Sequence, residues 1–126
     1  MTKQHSGLVV EDEALLRLEL AEELAAAGWR VREASTGEDA LRFLSRLRES
    51  GEPLDFLVTD IRLGGAADGW LVAEEFRKAW PGLVVIYVSA NPISENRRMA
   101  GSLFLSKPVD VQTLIAGIRG QFAAQG

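Results

Sequence analysis

The chain has no cysteine, one histidine (His5) and one tyrosine. Without thiols there is no disulfide, no thiolate nucleophile and no cysteine-ligated zinc. A serine–histidine triad or a histidine-built metal centre would rest on His5 alone, near the amino terminus, which sets both chemistries aside. Basic charge is also scarce. Fourteen Lys and Arg face 18 Asp and Glu, for a net charge of −4 and a pI near 5.0. That balance argues against a general nucleic-acid-binding surface, and the doublet Arg97-Arg98 reads as a solvated helix face. The longest apolar run, Leu83 to Val88, falls far short of the roughly 20 residues of a membrane span. The first residues lack a signal-peptide pattern. These absences predict a cytoplasmic protein with no direct nucleic-acid or membrane contact.

What is present is enough for one ordinary domain. With 126 residues, 47% of them hydrophobic, the chain can bury a real core. Strand-like and helix-like runs alternate. Ser6 to Val10 reads as a strand. Leu16, Leu20 and Leu24, with Leu15 and Leu18 beside them, mark a helix that Gly28 follows as a C-terminal cap would. Trp29 to Ala34 alternates as a half-exposed edge strand should. Thr36 can cap a helix carrying Ala40, Leu41, Leu44 and Leu47. Leu54 to Asp60 reads as a strand buried on both faces, and a glycine-rich loop from Gly64 to Gly69 leads to a helix with Val72, Phe76, Ala79 and Trp80 on one face. Val84 to Val88 is a further strand, Asn91-Pro92 can open a fourth helix, and Leu103-Phe104-Leu105 a fifth strand. Val111, Leu114, Ile115, Ile118 and Phe122 line a last helix. Five such pairs predict a mostly parallel sheet covered on both sides, with right-handed crossovers.

The chemistry lies at the strand ends. In open α/β sheets ligands bind outside the carboxyl ends of the strands. Here those ends carry Glu11 and Asp12, then Asp60, then Ser89, then Lys107. Singly, each has a plain structural use: Asp12 as a helix cap, Glu11 as a solvated strand end, Ser89 as a terminal hydroxyl, Lys107 as a surface charge. Asp60, directly after Phe56-Leu57-Val58-Thr59, has few such uses. Gathered together, the carboxylates must bind a proton or a cation, because like charges about 4 Å apart cost on the order of 4 kcal/mol at an effective dielectric near 20. An all-oxygen donor set favours a hard divalent ion such as Mg²⁺ on Glu11, Asp12 and Asp60. An ionised aspartate can also attack phosphorus and form an aspartyl phosphate. Lys107 and Ser89 would then neutralise and hydrogen-bond the phosphoryl oxygens.

The motifs Leu8-Val9-Val10-Glu11-Asp12-Glu13, Val58-Thr59-Asp60-Ile61-Arg62-Leu63, Val88-Ser89-Ala90 and Ser106-Lys107-Pro108, in that order and spacing, resemble a response-regulator receiver domain of two-component signalling. The resemblance spans essentially the whole chain, read as one receiver domain over residues 1–126 and as a stand-alone, single-domain receiver. It implies a flavodoxin-like doubly wound (βα)5 fold with five parallel strands in the order 2-1-3-4-5. It implies that Asp60 is the phosphoacceptor, that Glu11, Asp12, Asp60 and the Arg62 backbone carbonyl hold Mg²⁺, and that Lys107 pairs with the phosphoryl group. Ser89 and Phe104 would be the switch residues, and the Lys107–Pro108 peptide would be cis. The implied partner is a histidine kinase or histidine phosphotransfer protein docking near the first helix, with a downstream protein target on the fourth helix, fifth strand and fifth helix, roughly Pro92 to Phe122.

Three positions depart from the family pattern. Glu11 stands where aspartate is common, Phe104 has no hydroxyl, and the loop after Asp60 is one residue longer and lacks a proline, so mobility is expected there. A haloacid-dehalogenase-type phosphatase would use the same groups, but with an Asp-x-Asp nucleophile after the first strand and the acidic pair last. Here the acidic pair comes first and Arg62 stands two residues after Asp60. An interaction module not controlled by phosphorylation would have no use for the complete set.

Overall fold

The computed structural model describes residues 4–90 and 97–125. Its elements are β1 Ser6–Val10, α1 Ala14–Ala26, β2 Arg30–Ala34, α2 Gly37–Ser50, β3 Phe56–Asp60, α3 Gly69–Ala79, β4 Val84–Ser89, β5 Leu103–Ser106 and α4 Val111–Gln125. The fourth helix predicted to open at Asn91-Pro92 lies outside the described residues, so the last helix of the chain is α4. Arg97 and Arg98, expected on a helix face, lie in the turn region before β5.

All five strands are parallel, in the order β2-β1-β3-β4-β5. Strand polarity explains which strands lie inside the sheet. β3 and β4 are buried at every position, as continuous apolar runs must be when helices cover both faces. β2 alternates charge with apolar residues and takes an edge. Successive side chains in a strand point to opposite faces. Leu8 and Val10 of β1, Leu57 of β3 and Val85 and Tyr87 of β4 therefore meet α2 and α3 through Leu44, Leu47, Val72 and Phe76. Val9, Phe56, Val58, Ile86 and Val88 meet α1 and α4 through Leu20, Leu24, Leu114, Ile115 and Ile118. Each fully buried side chain of this kind contributes about 1.5–3 kcal/mol relative to exposure.

The local signals behaved as their chemistry dictates. Thr36 caps α2, its hydroxyl accepting the Asp39 N–H at 3.0 Å, and Asp68 caps α3 by accepting the Leu71 N–H at 2.9 Å. Gly28, just past α1, has φ +104°. Two boundaries shift. β3 starts at Phe56 rather than Leu54, although Asp55 still bonds Ser6 and Val84 through its backbone. β2 starts at Arg30, leaving Trp29 to pack beneath α4. Leu15 and Leu18, grouped with the apolar face of the first helix, are instead 80% and 46% exposed.

The chain leaves β1 for β2 on one side and returns to β3 on the other. That reversal opens a crevice between the carboxyl ends of β1 and β3.

Candidate functional site

Asp60 closes β3 at this crevice and is 7% exposed. Gly69 keeps the following loop tight against it: a Cβ there would lie 2.0 Å from the Asp60 carbonyl oxygen. Asp60 Oδ2 accepts from Lys107 Nζ at 2.8 Å, and Oδ1 accepts from the Arg62 backbone N–H at 3.2 Å. Lys107 Nζ also lies 3.0 Å from Glu11 Oε1. The lysine arrives from the far side of the sheet because β5 pairs with β4. Its backbone N–H continues that ladder by donating to Ser89 O at 2.9 Å, and the cis Lys107–Pro108 peptide then turns the chain away.

Glu11 is 1% exposed and held at several atoms. Its backbone N–H donates to Ala34 O at 3.0 Å. Its carbonyl accepts from Arg17 Nη1 at 2.9 Å, while Arg17 Nε reaches Glu33 at 3.3 Å. Its Oε2 accepts the Glu13 N–H at 3.0 Å, so the extra methylene relative to aspartate is folded back onto the start of α1. Asp12 is exposed, and it does not cap that helix: the N-cap is Glu13, which makes no side-chain cap bond. One oxygen each from Glu11, Asp12 and Asp60 lie within 4.8 Å of one another.

The electrostatics follow from this crowding. Burial pushes the Glu11 carboxyl above its ordinary range, with Asp60 and Asp12 adding to the effect and the Glu13 N–H and Lys107 opposing it. Burial also works against the Lys107 ammonium, but the Asp60 and Glu11 carboxylates outweigh it and hold the lysine above its ordinary range. Three carboxylates and one ammonium sum to −2, the complement of one divalent cation. The oxygen-only donors and the exposed position of Asp12 fit a small hard cation that keeps some of its waters.

Ser89 ends β4 beside β3, one residue beyond the Asp60–Val88 register pair, and is 2% exposed. Phe104 sits on β5 opposite Tyr87, half-buried against the core shared with α2 and α3. The sheet thus brings Glu11, Asp12, Asp60, Ser89 and Lys107 to one edge, with Arg62 in the adjoining loop.

Three participants escaped the sequence reading. Arg17 folds back to the Glu11 carbonyl six residues earlier, and Glu38 reaches amides 28 and 29 residues on, which no local pattern announces. Tyr87, fully buried, accepts the Met99 N–H at 3.1 Å and lies against Trp70 with ring centroids 4.7 Å apart. Its place in an apolar strand reads only as core.

A doubly wound parallel sheet with an acidic cluster at its switch point and a lysine just beyond the last strand defines a flavodoxin-like fold centred on Asp60. The family model of the response regulator receiver domain matches residues 8–119, and the chain belongs to that family. It is a receiver domain of two-component signalling. It is 34% identical over 118 residues to the transcriptional regulatory protein GlrR of Escherichia coli K12, covering 90% of this chain and 25% of that protein. It is 30% identical over 111 residues to the sensor histidine kinase RcsC of Salmonella typhimurium, covering 85% of this chain and 11% of the kinase. The chain thus spans a quarter or less of the length of these two relatives. A crystal structure of a response regulator receiver protein from Sinorhizobium medicae superposes with a TM-score of 0.89 at 31% identity, over 98% of both chains. Among the described residues, no helix is long and apolar enough to cross a membrane.

Proposed function

We propose that Asp60 is the phosphoacceptor of a two-component or phosphorelay pathway. The observation that carries this reading is the Lys107 ammonium, which bridges Asp60 and Glu11 at 2.8 and 3.0 Å inside a cluster of three carboxylates. An Asp60 carboxylate oxygen attacks the phosphorus of a phosphohistidine. The phosphorus–nitrogen bond breaks, and its electron pair stays on the imidazole nitrogen. Lys107, already on Oδ2, neutralises the phosphoryl oxygens as they arrive, and the Ser89 hydroxyl donates to one of them. Glu11, Asp12, Asp60 and the Arg62 carbonyl would hold Mg²⁺, which would supply further neutralising charge when bound. No separate base is required, because the nucleophile is an anion. The protein acts as a switch that catalyses only its own phosphorylation and dephosphorylation.

The added group brings about −1.5 to −2 charges at pH 7. It draws Ser89 toward Asp60, and Phe104 on the neighbouring strand moves inward to fill the space, altering the surface of β5, α4 and the segment before β5. The donor, a histidine kinase or phosphotransfer protein, docks on α1, the helix that follows Glu11 and Asp12 in the chain, where Leu15 and Leu18 stand exposed.

Intact-mass spectrometry after incubation with Mg²⁺ and a small acyl phosphate tests the assignment. The wild type should gain one phosphate and Asp60→Asn none. An unlabelled wild type, or a label retained in the variant, overturns it.

A further inference from the structure

The loop from Ile61 to Asp68 connects Asp60 to α3. Its stem is closed where the Gly69 N–H donates to Ile61 O at 2.8 Å. Gly64 and Gly65 leave the remainder little intrinsic rigidity. The tip is nevertheless held from outside. Glu38, the second residue of α2, accepts the backbone N–H groups of Ala66 at 3.0 Å and Ala67 at 3.2 Å, both on Oε2. Two glycines make the approach possible. A Cβ on Gly37 would lie 2.3 Å from Ala67 O. Gly65 has φ +105°, and a Cβ there would lie 2.9 Å from Glu38 Oε1. The backbone N–H of Glu38 itself and those of Ala66 and Ala67 hold the Glu38 carboxyl below its ordinary range, as expected for an anion that accepts several amides.

We infer that Glu38 is a positioning residue for phosphoryl transfer: from outside the acidic cluster it fixes the loop whose Arg62 N–H orients the Asp60 carboxylate. The longer, proline-free loop needs such an external support. An untethered loop would let Arg62 drift, and with it both the 3.2 Å hydrogen bond to Asp60 Oδ1 and the carbonyl assigned to the cation. Displacements of about 1 Å near reacting atoms cost on the order of a hundredfold in rate, so partial release of a loop should cost less. The inference rests on the phosphoacceptor reading of Asp60.

The test compares the full chain with Glu38→Ala, Glu38→Gln and Gly51→Ala. Gly51 ends α2 with φ +73°, so its alanine variant strains the same helix far from the loop. Amide hydrogen exchange at Ala66 and Ala67 reads the tether, and the initial rate of labelling by acyl phosphate with Mg²⁺ reads its consequence. Glu38→Ala should release both amides and slow labelling about tenfold. Glu38→Gln, whose amide oxygen can still accept both bonds, should stay within about twofold of wild type. Gly51→Ala should lose thermal stability without slowing labelling. Glu38→Ala that frees the amides yet labels at the wild-type rate overturns the inference. So does Gly51→Ala slowing as much as Glu38→Ala, which would make the effect one of general stability. A wild type that takes no label overturns the phosphoacceptor reading and this inference with it, whereas protected Ala66 and Ala67 amides would still establish the tether.

Discussion

Replacing Lys107 with alanine should destabilise the protein, and the deficit should depend on divalent cation. Lys107 Nζ lies 2.8 Å from Asp60 Oδ2 and 3.0 Å from Glu11 Oε1; at an effective dielectric near 20 these attractions are each about 5.5–6 kcal/mol gross. Most of that is cancelled by desolvating the ammonium, whose side chain is 18% exposed. Truncation, however, leaves Glu11 and Asp60 buried with no counter-charge between them. Breaking one side of a buried pair costs about 3–5 kcal/mol, and partial exposure plus the readiness of Glu11 to take a proton reduces this to about 2–3 kcal/mol. Urea denaturation at pH 7, with chelator and then with excess Mg²⁺, measures it. The variant should unfold at lower urea in chelator with an unchanged slope, and the gap to wild type should narrow in Mg²⁺, because the cation replaces the lost charge. A variant within about 0.5 kcal/mol of wild type in chelator would refute the reasoning, since the cluster would then not depend on Lys107 for compensation.

Gly69→Ala forces a Cβ to within 2.0 Å of the Asp60 carbonyl oxygen, a backbone atom of a central strand; thermal unfolding should show a loss of about 3 kcal/mol or more, and an unchanged Tm would refute the close approach. Leu15→Ser/Leu18→Ser removes two exposed leucines, so stability should change by no more than about 1 kcal/mol and acyl-phosphate labelling should be unaltered, while transfer from a phosphohistidine protein slows; equal transfer rates would place the donor elsewhere. For Glu38 the folded carboxyl lies below its ordinary 4.5, so the charge that strengthens the tether is fully present above that pH and is lost as pH falls through the lowered value, leaving the weaker hydrogen bonds of a neutral acceptor. Amide protection at Ala66 and Ala67, corrected for intrinsic exchange, should therefore be flat above 4.5 and fall only below it; loss beginning at higher pH would contradict the assignment.

The site was legible because each of its groups interrupts a strong local pattern. Asp60 ends a run that is otherwise apolar but for Thr59, and Lys107 precedes a proline just after a short strand, so the sequence alone places both at strand ends. The same polarity marked the charged Arg30-Val31-Arg32-Glu33 run as an edge, whereas the full strand order came from the family resemblance. What escaped depended on distance along the chain. Glu38 reads as an acidic residue in the first turn of a helix, where it suits the helix dipole; that it accepts hydrogen bonds 28 and 29 residues away is a property of the packing of α2 on the loop. The exposure of Leu15 and Leu18 was hidden by α1 itself, which carries apolar residues on several sides, so periodicity could not tell the buried leucines from the exposed ones.

The contact between Trp70 and Tyr87 gives the molecule a built-in optical reporter. Trp70 is the second residue of α3, directly beyond the loop from Asp60, while the Tyr87 hydroxyl carries the amide of Met99 in the segment before β5. Movement on either side of the sheet edge therefore converges on one ring pair with centroids 4.7 Å apart. Trp29 belongs to the opposite core, and Trp80 lies at the far end of α3, so replacing both with phenylalanine should leave a single indole emission that follows arrival and departure of the phosphoryl group in real time, without any attached dye.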